Sequence, residues 1–361
     1  MKKCGFGLAL ISLLSLVSCN KNIIDYKSCL DLYIVNKEKT PIYYDGFTIV
    51  QLADIHWSTT TNVFEQRQYL TNLLNEISKE KGKIDLLELT GDQVMLFSKD
   101  VITDLINTLE SIGIPYAVTW GNHDRHGEAS PTWISNAFSS APHCLYTQVD
   151  NDNVYGNSNY VINLYNDSNN CKWQIVNLDS GADYADNSVG IGMTYDYIRE
   201  DQAAWWKSEH DLVGKDVPVI AYYHIAQHEM EEAWNEFKDA GDSYTGKQKF
   251  FKFESFASSS ANKVPYFFNI AKDNGLKGIF VGHCHANDWT ADYQGVTIGC
   301  GVKTGKELYY AKVSLEDAKK VGINRAFDLV GASVVSLHND GTFDLDHFYF
   351  DNNGLNEWVK Y

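Results

Sequence analysis

Three short apolar runs alternate with two helix-patterned segments near the start of the chain. The runs span residues 47–53, 84–89 and 114–120, and apolar residues within 63–79 and 101–112 recur at helical spacing. This alternation predicts an α/β fold built on a largely parallel sheet. Each run ends in polar residues, at the carboxyl end of a predicted strand, where open α/β sheets bind their ligands. The pattern therefore predicts the position of a functional site as well as the fold.

Later apolar runs extend this pattern through the rest of the chain. The polar segments 125–172 and 229–265 are predicted as loops or helical insertions that set substrate choice, because loops of that length are usually functional. The main domain is predicted to span residues 46–352, followed by a C-terminal tail over 353–361. Further strands are predicted at 173–178, 217–223 and 278–281, and antiparallel strands at 296–300, 308–313, 332–337 and 342–350.

Side chains that bind metals or transfer protons follow five of these runs. Imidazole, carboxylate and amide oxygen are the ligands that a pair of divalent cations needs, and one carboxylate has to bridge the pair. A water held between two such cations loses a proton near neutral pH and becomes a nucleophile. The order of these residues and their place at strand ends together predict a two-metal site. The residues are Asp54, His56, Asp92, Asn122, His123, Asp124, His224, His283 and His285.

The motifs that contain these residues resemble the signature of the calcineurin-like metallophosphoesterases. The flanking segments 177–181 and 196–205 resemble a subgroup related to purple acid phosphatases. The resemblance implies a four-layer αββα sandwich with two mixed β-sheets. It also implies hydrolysis of a phosphate ester by a hydroxide that bridges two metals. The motifs are Asp54-Ile55-His56, Gly91-Asp92, Gly121-Asn122-His123-Asp124, His224 and Gly282-His283-Cys284-His285.

The resemblance also implies a role for each of these residues. His123 is expected to face the phosphoryl group as a proton donor or positive contact, and Asp124 to orient His123 by a hydrogen bond. Asp179 and Asn287 are further candidates near the site. The implied metal ligands are Asp54, His56 and His285 for the first ion, Asn122, His224 and His283 for the second, and Asp92 as the bridge.

The residues after Asp92 depart from the true purple acid phosphatases. Those enzymes place a tyrosine ligand of ferric iron shortly after this aspartate, whereas here Gln93, Val94 and Met95 follow. We therefore expect no purple colour, and the expected cofactors are two divalent or mixed-valence ions of Mn, Zn or Fe. Two alternative functions stay open: a cyclic-nucleotide or other phosphodiesterase, and a non-catalytic lipoprotein that keeps the metals for binding.

The N-terminus resembles a bacterial lipoprotein signal peptide. Lys2 and Lys3 precede an apolar run over residues 5–17, which is too short to span a membrane. The run is followed by Ser18-Cys19, so cleavage is expected before Cys19 and lipid on its thiol. Residues 1–18 are then the signal peptide and 19–45 a lipidated tether. This predicts a protein held at the cell envelope, outside the cytoplasm, by lipid on Cys19.

The formal net charge of −17 limits the partners of the chain. Such a surface repels polyanions, so nucleic acid is not an expected partner. A small phosphate ester remains an acceptable substrate, because bound cations reverse the local field.

The cysteines give two further expectations. Cys144 and Cys171 are candidates for a disulfide if the protein lies outside the cytoplasm. Cys284 lies between two predicted ligands, and it is expected to point away from the metals because adjacent residues of a strand face opposite sides.

Overall fold

The structure describes most of the residues of the predicted main domain. The predicted signal peptide 1–18, Cys19 and the tether 19–45 lie outside the described residues. Within the described part of the chain, no helix is both long and apolar enough to cross a membrane. The computed structural model describes residues 46–60, 62–95, 98–148, 153–165, 170–186, 191–240, 250–254 and 263–360.

Helices and strands alternate in the first half of these residues, and strands predominate in the second. The described α-helices are α1 (Val63–Lys81), α2 (Lys99–Ile112), α3 (Pro131–Ser140), α4 (Glu200–Val213), α5 (His228–Ala240), α6 (Tyr266–Ala271) and α7 (Leu315–Lys320). The described strands are β1 (Phe47–Leu52), β2 (Leu86–Thr90), β3 (Tyr116–Thr119), β4 (Tyr160–Tyr165), β5 (Cys171–Asn177), β6 (Asp183–Asp186), β7 (Ile191–Tyr195), β8 (Val219–Tyr223), β9 (Phe250–Lys252), β10 (Leu276–Val281), β11 (Asn287–Tyr293), β12 (Val296–Cys300), β13 (Lys312–Val313), β14 (Phe327–Asp328), β15 (Gly331–Leu337), β16 (Phe343–Phe350) and β17 (Asn356–Lys360).

Two large mixed sheets contain most of these strands. The first has the order β17-β16-β15-β1-β2-β3, and the second has the order β4-β5-β8-β10-β12-β11-β9. Strands β1, β2 and β3 run parallel, as the alternation of apolar runs predicts. In the second sheet, the neighbouring pairs β5–β8, β8–β10 and β10–β12 are also parallel. The pairs β6–β7 and β13–β14 form two small separate sheets.

The two large sheets pack face to face with helices outside. One core cluster joins Ile175, Ile220 and Phe280 of the second sheet to residues of the first sheet and of α1 and α2. A second cluster joins the other face of the second sheet to α4, α5 and α6, with Trp206 and Phe267 fully buried. The layers are helices, sheet, sheet and helices, so the predicted four-layer αββα sandwich with two mixed β-sheets is confirmed.

The far end of the chain differs from the sequence prediction. Strand β17 pairs with β16, so residues 356–360 form the edge of the first sheet rather than part of a tail. An edge strand with mostly part-exposed side chains carries little hydrophobic pattern, and this one was therefore missed. The strand predicted over 308–313 is limited to Lys312–Val313.

The two long polar segments contain regular structure as well as loops. Segment 125–172 includes α3 and β4, and segment 229–265 includes most of α5 and all of β9. Strand β12, which was predicted to be antiparallel, is antiparallel to β11 but parallel to β10. Period-2 patterning gives no information about which neighbour a strand pairs with, and only the packed sheet decides this.

The carboxyl ends of five strands meet at one edge of the sandwich. Strands β1, β2 and β3 of the first sheet and β8 and β10 of the second end there. The buried Gln51 amide joins the sheets, since its Nε2 donates to Val281 O at 3.1 Å and to Thr90 Oγ1 at 3.0 Å. Seven of the nine predicted site residues therefore converge from both sheets, and His123 and Asp124 follow in the turn after β3.

Candidate metal centre

The turns that follow the strands hold four of the predicted ligands in a strained backbone conformation. Asp54, His56, Asp92 and His283 have φ values of +52°, +49°, +50° and +71°. The left-handed region is unfavourable for residues with a side chain, and such strain concentrates at functional sites. Such conformations persist only where the surrounding fold determines them, which makes these four positions candidates for a functional site.

The first group of predicted ligands surrounds a common point. His56 Nε2 lies 2.9 Å from His285 Nε2 and 3.8 Å from Asp92 Oδ2, while His285 Nε2 lies 3.4 Å from Asp54 Oδ1. One ligand atom from each of these four residues lies within 4.8 Å of the other three. All four side chains are buried. This is the arrangement that the predicted first metal set requires.

A second group meets on the other side of Asp92. His224 Nε2 lies 3.2 Å from His283 Nδ1, 3.2 Å from Asn122 Oδ1 and 3.4 Å from Asp92 Oδ1. Asp92, His224 and His283 form a cluster able to hold a metal ion, and the Asn122 amide oxygen adjoins it. Asp92 thus presents Oδ2 to the first group and Oδ1 to the second, as a bridging carboxylate must.

Hydrogen bonding in the centre indicates that cations belong there. Asp92 Oδ2, which faces the first group, is buried and has no hydrogen-bond partner among the described residues. Buried polar groups are normally satisfied, so this exception needs an explanation. The facing imidazole nitrogens and carboxylate oxygens satisfy one another poorly, whereas divalent cations bind all of their lone pairs. The residues present therefore fit a two-metal centre.

Burial and neighbouring charges set the protonation of the centre. Burial lowers the pKa of His56 to about 2, and it lowers that of His283 to about 3, so both rings are neutral. Burial would raise the pKa of Asp92, but the attraction of His224 and His56 outweighs it and keeps the pKa below its usual value. Burial would also lower the pKa of His224, but Asp92 raises it to about 10. A bound metal would displace that proton.

Residues around the ligands fix their orientation. His224 Nδ1 donates to Thr90 O at 2.9 Å, because a carbonyl only accepts, and this leaves Nε2 to face the second group. Gly91 and Gly121 permit the close approach, since a Cβ at Gly91 would lie 2.3 Å from His224 Nδ1 and one at Gly121 would lie 2.2 Å from Asp92 Oδ1. Both glycines are therefore required by packing against ligand side chains.

Comparison with known proteins agrees with this geometry. The family model described as calcineurin-like phosphoesterase matches residues 47–287, about two thirds of the chain. The chain belongs to the calcineurin-like phosphoesterase family. Membership of this family makes it a phosphoric ester hydrolase by class. The match covers every predicted ligand, and it ends at Asn287, the first residue of β11.

Two relatives and one solved structure resemble this phosphoesterase. An Arabidopsis thaliana protein named "Probable inactive purple acid phosphatase 29" is 26% identical over 297 residues, covering 73% of each chain. The Saccharomyces cerevisiae protein named "Phosphatase DCR2" is 28% identical over 201 residues, which are 50% of this chain and 34% of the yeast protein. A dimetal phosphatase from Danio rerio superposes with a TM-score of 0.51 at 11% identity, covering 88% of this chain and 99% of the other. At that identity the likeness concerns the fold.

Asp124 binds the backbone rather than the His123 ring. Its Oδ2 accepts from Gly121 N at 2.8 Å, and its Oδ1 accepts from Gln93 N at 2.9 Å and Val94 N at 3.4 Å. The predicted hydrogen bond to the His123 side chain is therefore wrong. Asp124 instead joins the turn after β3 to the turn after β2, and so it positions both Asp92 and His123 through their backbones. Burial and the nearby Asp92 raise the Asp124 pKa to about 7.

His123 lies beside the centre and is partly exposed. Its backbone N donates to Asp92 Oδ1 at 2.8 Å, and its ring centroid lies 5.3 Å from that of His56. Its ring also lies 5.5 Å from that of His126, which in turn lies 3.1 Å from Asp183. No sequence motif points to His126. Its place beside His123 depends on the turn after β3 and on the β6–β7 hairpin.

Three further residues of this phosphoesterase border the site, and no sequence motif predicts them. The buried Lys303 donates from Nζ to Asp54 O at 2.7 Å, and burial lowers its pKa to about 8. The Tyr195 and Tyr309 rings lie against the ligand histidines His283 and His285, respectively. These residues reach the site through contacts between elements that are distant in sequence, so no local spacing identifies them.

Asp179 and Asn287, the two further candidates near the site, make hydrogen bonds to the backbone of nearby loops. Asp179 pairs with Arg125 and accepts from Gly181 N at 2.8 Å, so it braces a loop rather than a metal. Asn287 Oδ1 likewise accepts backbone N–H groups, those of Phe253 and Glu254. Both residues therefore shape the surroundings of the centre.

The cysteines lie apart from the ligand groups. Cys284 is buried in the outer core of the second sheet, which agrees with its predicted orientation away from the metals. Cys144 and Cys171 do not form the disulfide for which they were candidates. Cys171 Sγ donates to Trp173 O at 3.4 Å instead.

Proposed function

We propose that this phosphoesterase hydrolyses a phosphate ester outside the cytoplasm, with two metal ions held by the ligand groups described above. The observation that carries the proposal is the orientation of Asp92, whose two carboxylate oxygens face the two groups. The ions would be Mn, Zn, Fe or a mixed pair, because the donors are imidazole, carboxylate and amide oxygen. When bound, they would polarise the phosphoryl oxygens and lower the pKa of a water.

Residues of the chain supply the rest of the chemistry. His123 contacts the phosphoryl group and gives a proton to the leaving oxygen, since its ring lies beside His56 and is partly exposed. Asp124 fixes the turn that carries His123, and the two glycines hold Asp92 and His224 in place. The left-handed turns pre-organise the ligands, so little reorganisation is needed when the substrate binds.

The names of the plant relatives favour the alternative of a non-catalytic protein. Three Arabidopsis thaliana proteins similar to this chain are named probable inactive purple acid phosphatases. A non-catalytic protein that keeps its metals for binding would retain the two ligand groups. It would have no need for a partly exposed His123 beside them, and we therefore favour hydrolysis.

A direct assay tests the proposed reaction. Soluble protein spanning residues 20–361 would be stripped of metal, reloaded with Mn or Zn, and given p-nitrophenyl phosphate or its bis ester. We expect metal-dependent turnover that is abolished in Asp92→Asn and retained in Asp239→Asn, the same change at an exposed position. The preferred ester distinguishes a monoesterase from a phosphodiesterase. Two tightly bound ions without turnover of either ester would support the binding-protein alternative.

We also propose that lipid on Cys19 attaches the protein to the cell envelope. The basic residues at positions 2 and 3, the short apolar run and the Ser18-Cys19 pair support this proposal. The full chain would be expressed in a bacterium and partitioned between detergent and aqueous phases. We expect the unchanged chain and Cys29→Ser in the detergent phase and Cys19→Ser in the aqueous phase. Equal partitioning of Cys19→Ser and the unchanged chain would contradict the anchor.

A further inference from the structure

Two tyrosine rings lie against the two ligand histidines of one turn. The Tyr309 ring centroid is 4.6 Å from that of His285, and the Tyr195 ring centroid is 4.3 Å from that of His283. His285 belongs to the first ligand group and His283 to the second. Aromatic surface therefore borders both halves of the centre, and the reaction proposed above makes no use of it.

Two segments next to the turn that carries His285 contain exposed apolar residues. Tyr309 is 55% exposed, Leu308 is 42% exposed and Phe253 is 45% exposed. Leu308 has a φ of +60°, a conformation that leucine rarely adopts, so the exposed side chain is held there against backbone strain. We call Phe253, Leu308 and Tyr309 the apolar rim. Exposed apolar groups next to a site commonly bind ligand.

The apolar rim is tied to the turn that carries His285. Tyr309 donates from its hydroxyl to Glu254 Oε2 at 3.0 Å, and the other oxygen of that carboxylate accepts from Ala286 N at 2.9 Å. Phe253 N donates to Ala286 O at 3.1 Å. The Tyr309 ring is thus held in a fixed position before any ligand binds, and this lowers the entropy cost of stacking on it.

The charges near the rim indicate what kind of group it accepts. Glu254 lies beside Tyr309, and Asp183 lies beside His126 on the other side of the site. Of the cations near these carboxylates, Arg125 is paired with Asp179, and Lys252 donates from Nζ to Glu254 O at 2.6 Å. A second anionic group on the substrate would be repelled by these carboxylates, whereas a neutral apolar group would gain contact with the ring.

We propose that the apolar rim is a leaving-group subsite that selects phosphate monoesters of neutral alcohols with an aromatic ring. The proposal rests on the function proposed above, because the phosphoryl group must lie at the metal centre for the alcohol to reach Tyr309. The ring of the alcohol packs on Tyr309 and Leu308 while His123 serves the ester oxygen. Partial burial of one aromatic group of this kind changes selectivity by roughly tenfold.

Binding of phosphonates tests the subsite without any need for turnover. Calorimetry on the metal-loaded protein would compare benzylphosphonate with methylphosphonate, which share the anionic group. We expect benzylphosphonate to bind roughly tenfold more tightly, and this preference to disappear in Tyr309→Ala. Tyr309→Phe, the matched control, keeps the ring but loses the bond to Glu254, so it should keep most of the preference. Leu308→Gly reduces the preference and should fold well, since glycine tolerates a positive φ.

Kinetics separate the subsite from the proposed hydrolysis. Hydrolysis of 2-phenylethyl phosphate and ethyl phosphate would be compared, because both leaving groups are primary alcohols. Because the Tyr309 ring also packs on His285, Tyr309→Ala lowers kcat/KM for both esters, and the loss for the first ester should be roughly tenfold larger than the loss for the second. Equal or absent phosphonate affinities, or equal losses for both esters, overturn the subsite. A preference for benzylphosphonate without hydrolysis of either ester keeps the subsite and refutes the proposed reaction.

Discussion

Replacing Gly91 with alanine tests whether close backbone approach holds a metal ligand in place. A Cβ at this position would lie 2.3 Å from His224 Nδ1 and 2.4 Å from its Cγ. The fully buried ring would have to move by about 1 Å to regain an ordinary contact distance. That movement disturbs the bond from His224 Nδ1 to Thr90 O, which directs Nε2 towards the second ligand group.

The expected effect of Gly91→Ala has two parts, a loss of folding free energy and a loss of metal affinity. Gly91 has a φ of +86°, and an alanine in the left-handed region costs about 1–2 kcal/mol of folding free energy. Loss of a partner that orients a metal ligand weakens metal binding by about 10–100-fold, and displacement of the ligand itself weakens it further. We therefore expect a modest loss of stability together with a large loss of affinity for the second metal.

Gly113→Ala is the matched control for this experiment. Gly113 has a φ of +75°, and no atom lies within 4 Å of its added Cβ, so it reports backbone strain alone. Urea unfolding of the metal-free variants should give similar losses at the two positions, or a larger loss at Gly91. Metal titration by calorimetry should show the weakened second site only in Gly91→Ala. Two sites of unchanged affinity in Gly91→Ala would refute the reasoning.

Three further outcomes follow from buried groups and from the metals. Burial raises the pKa of Glu88, so above about pH 4.5 only the unfolded chain loses that proton, and stability falls by about 1.4 kcal/mol per pH unit until the folded pKa. Glu88→Gln lacks this loss, so its free energy of unfolding in urea should gain on that of the unchanged protein as the pH rises above about 5. Parallel pH profiles for the two proteins would count against this prediction. Asp124→Asn places an amide N–H₂ against a backbone N–H, and we expect a roughly hundredfold lower kcat together with weaker metal binding, because both turns lose their connection. Metal at 100 times its Kd should add about 2.7 kcal/mol of stability. A chelator that leaves the melting temperature unchanged would exclude such binding.

Much of the site follows from short stretches of sequence. Asp54 and His56 come directly after β1, and Asp92 comes directly after β2, so strand prediction alone places them at one edge of a parallel sheet. The position of these residues follows from chain connectivity, because the residues that follow a strand must lie at its carboxyl end. Strands β12 and β17 show the limit of such reasoning, since apolar patterning gives neither the pairing partner of β12 nor the presence of a weakly patterned edge strand.

The sequence by itself determined the residue types at the strand ends, the α/β class and the motif that indicates two metals. Only the tertiary structure decided which backbone groups Asp124 binds, how Lys303 reaches Asp54, and how Glu254 ties Tyr309 to the turn that carries His285. These contacts join elements from distant parts of the chain. Their geometry is set by the packing of the two sheets, and local spacing carries no information about it.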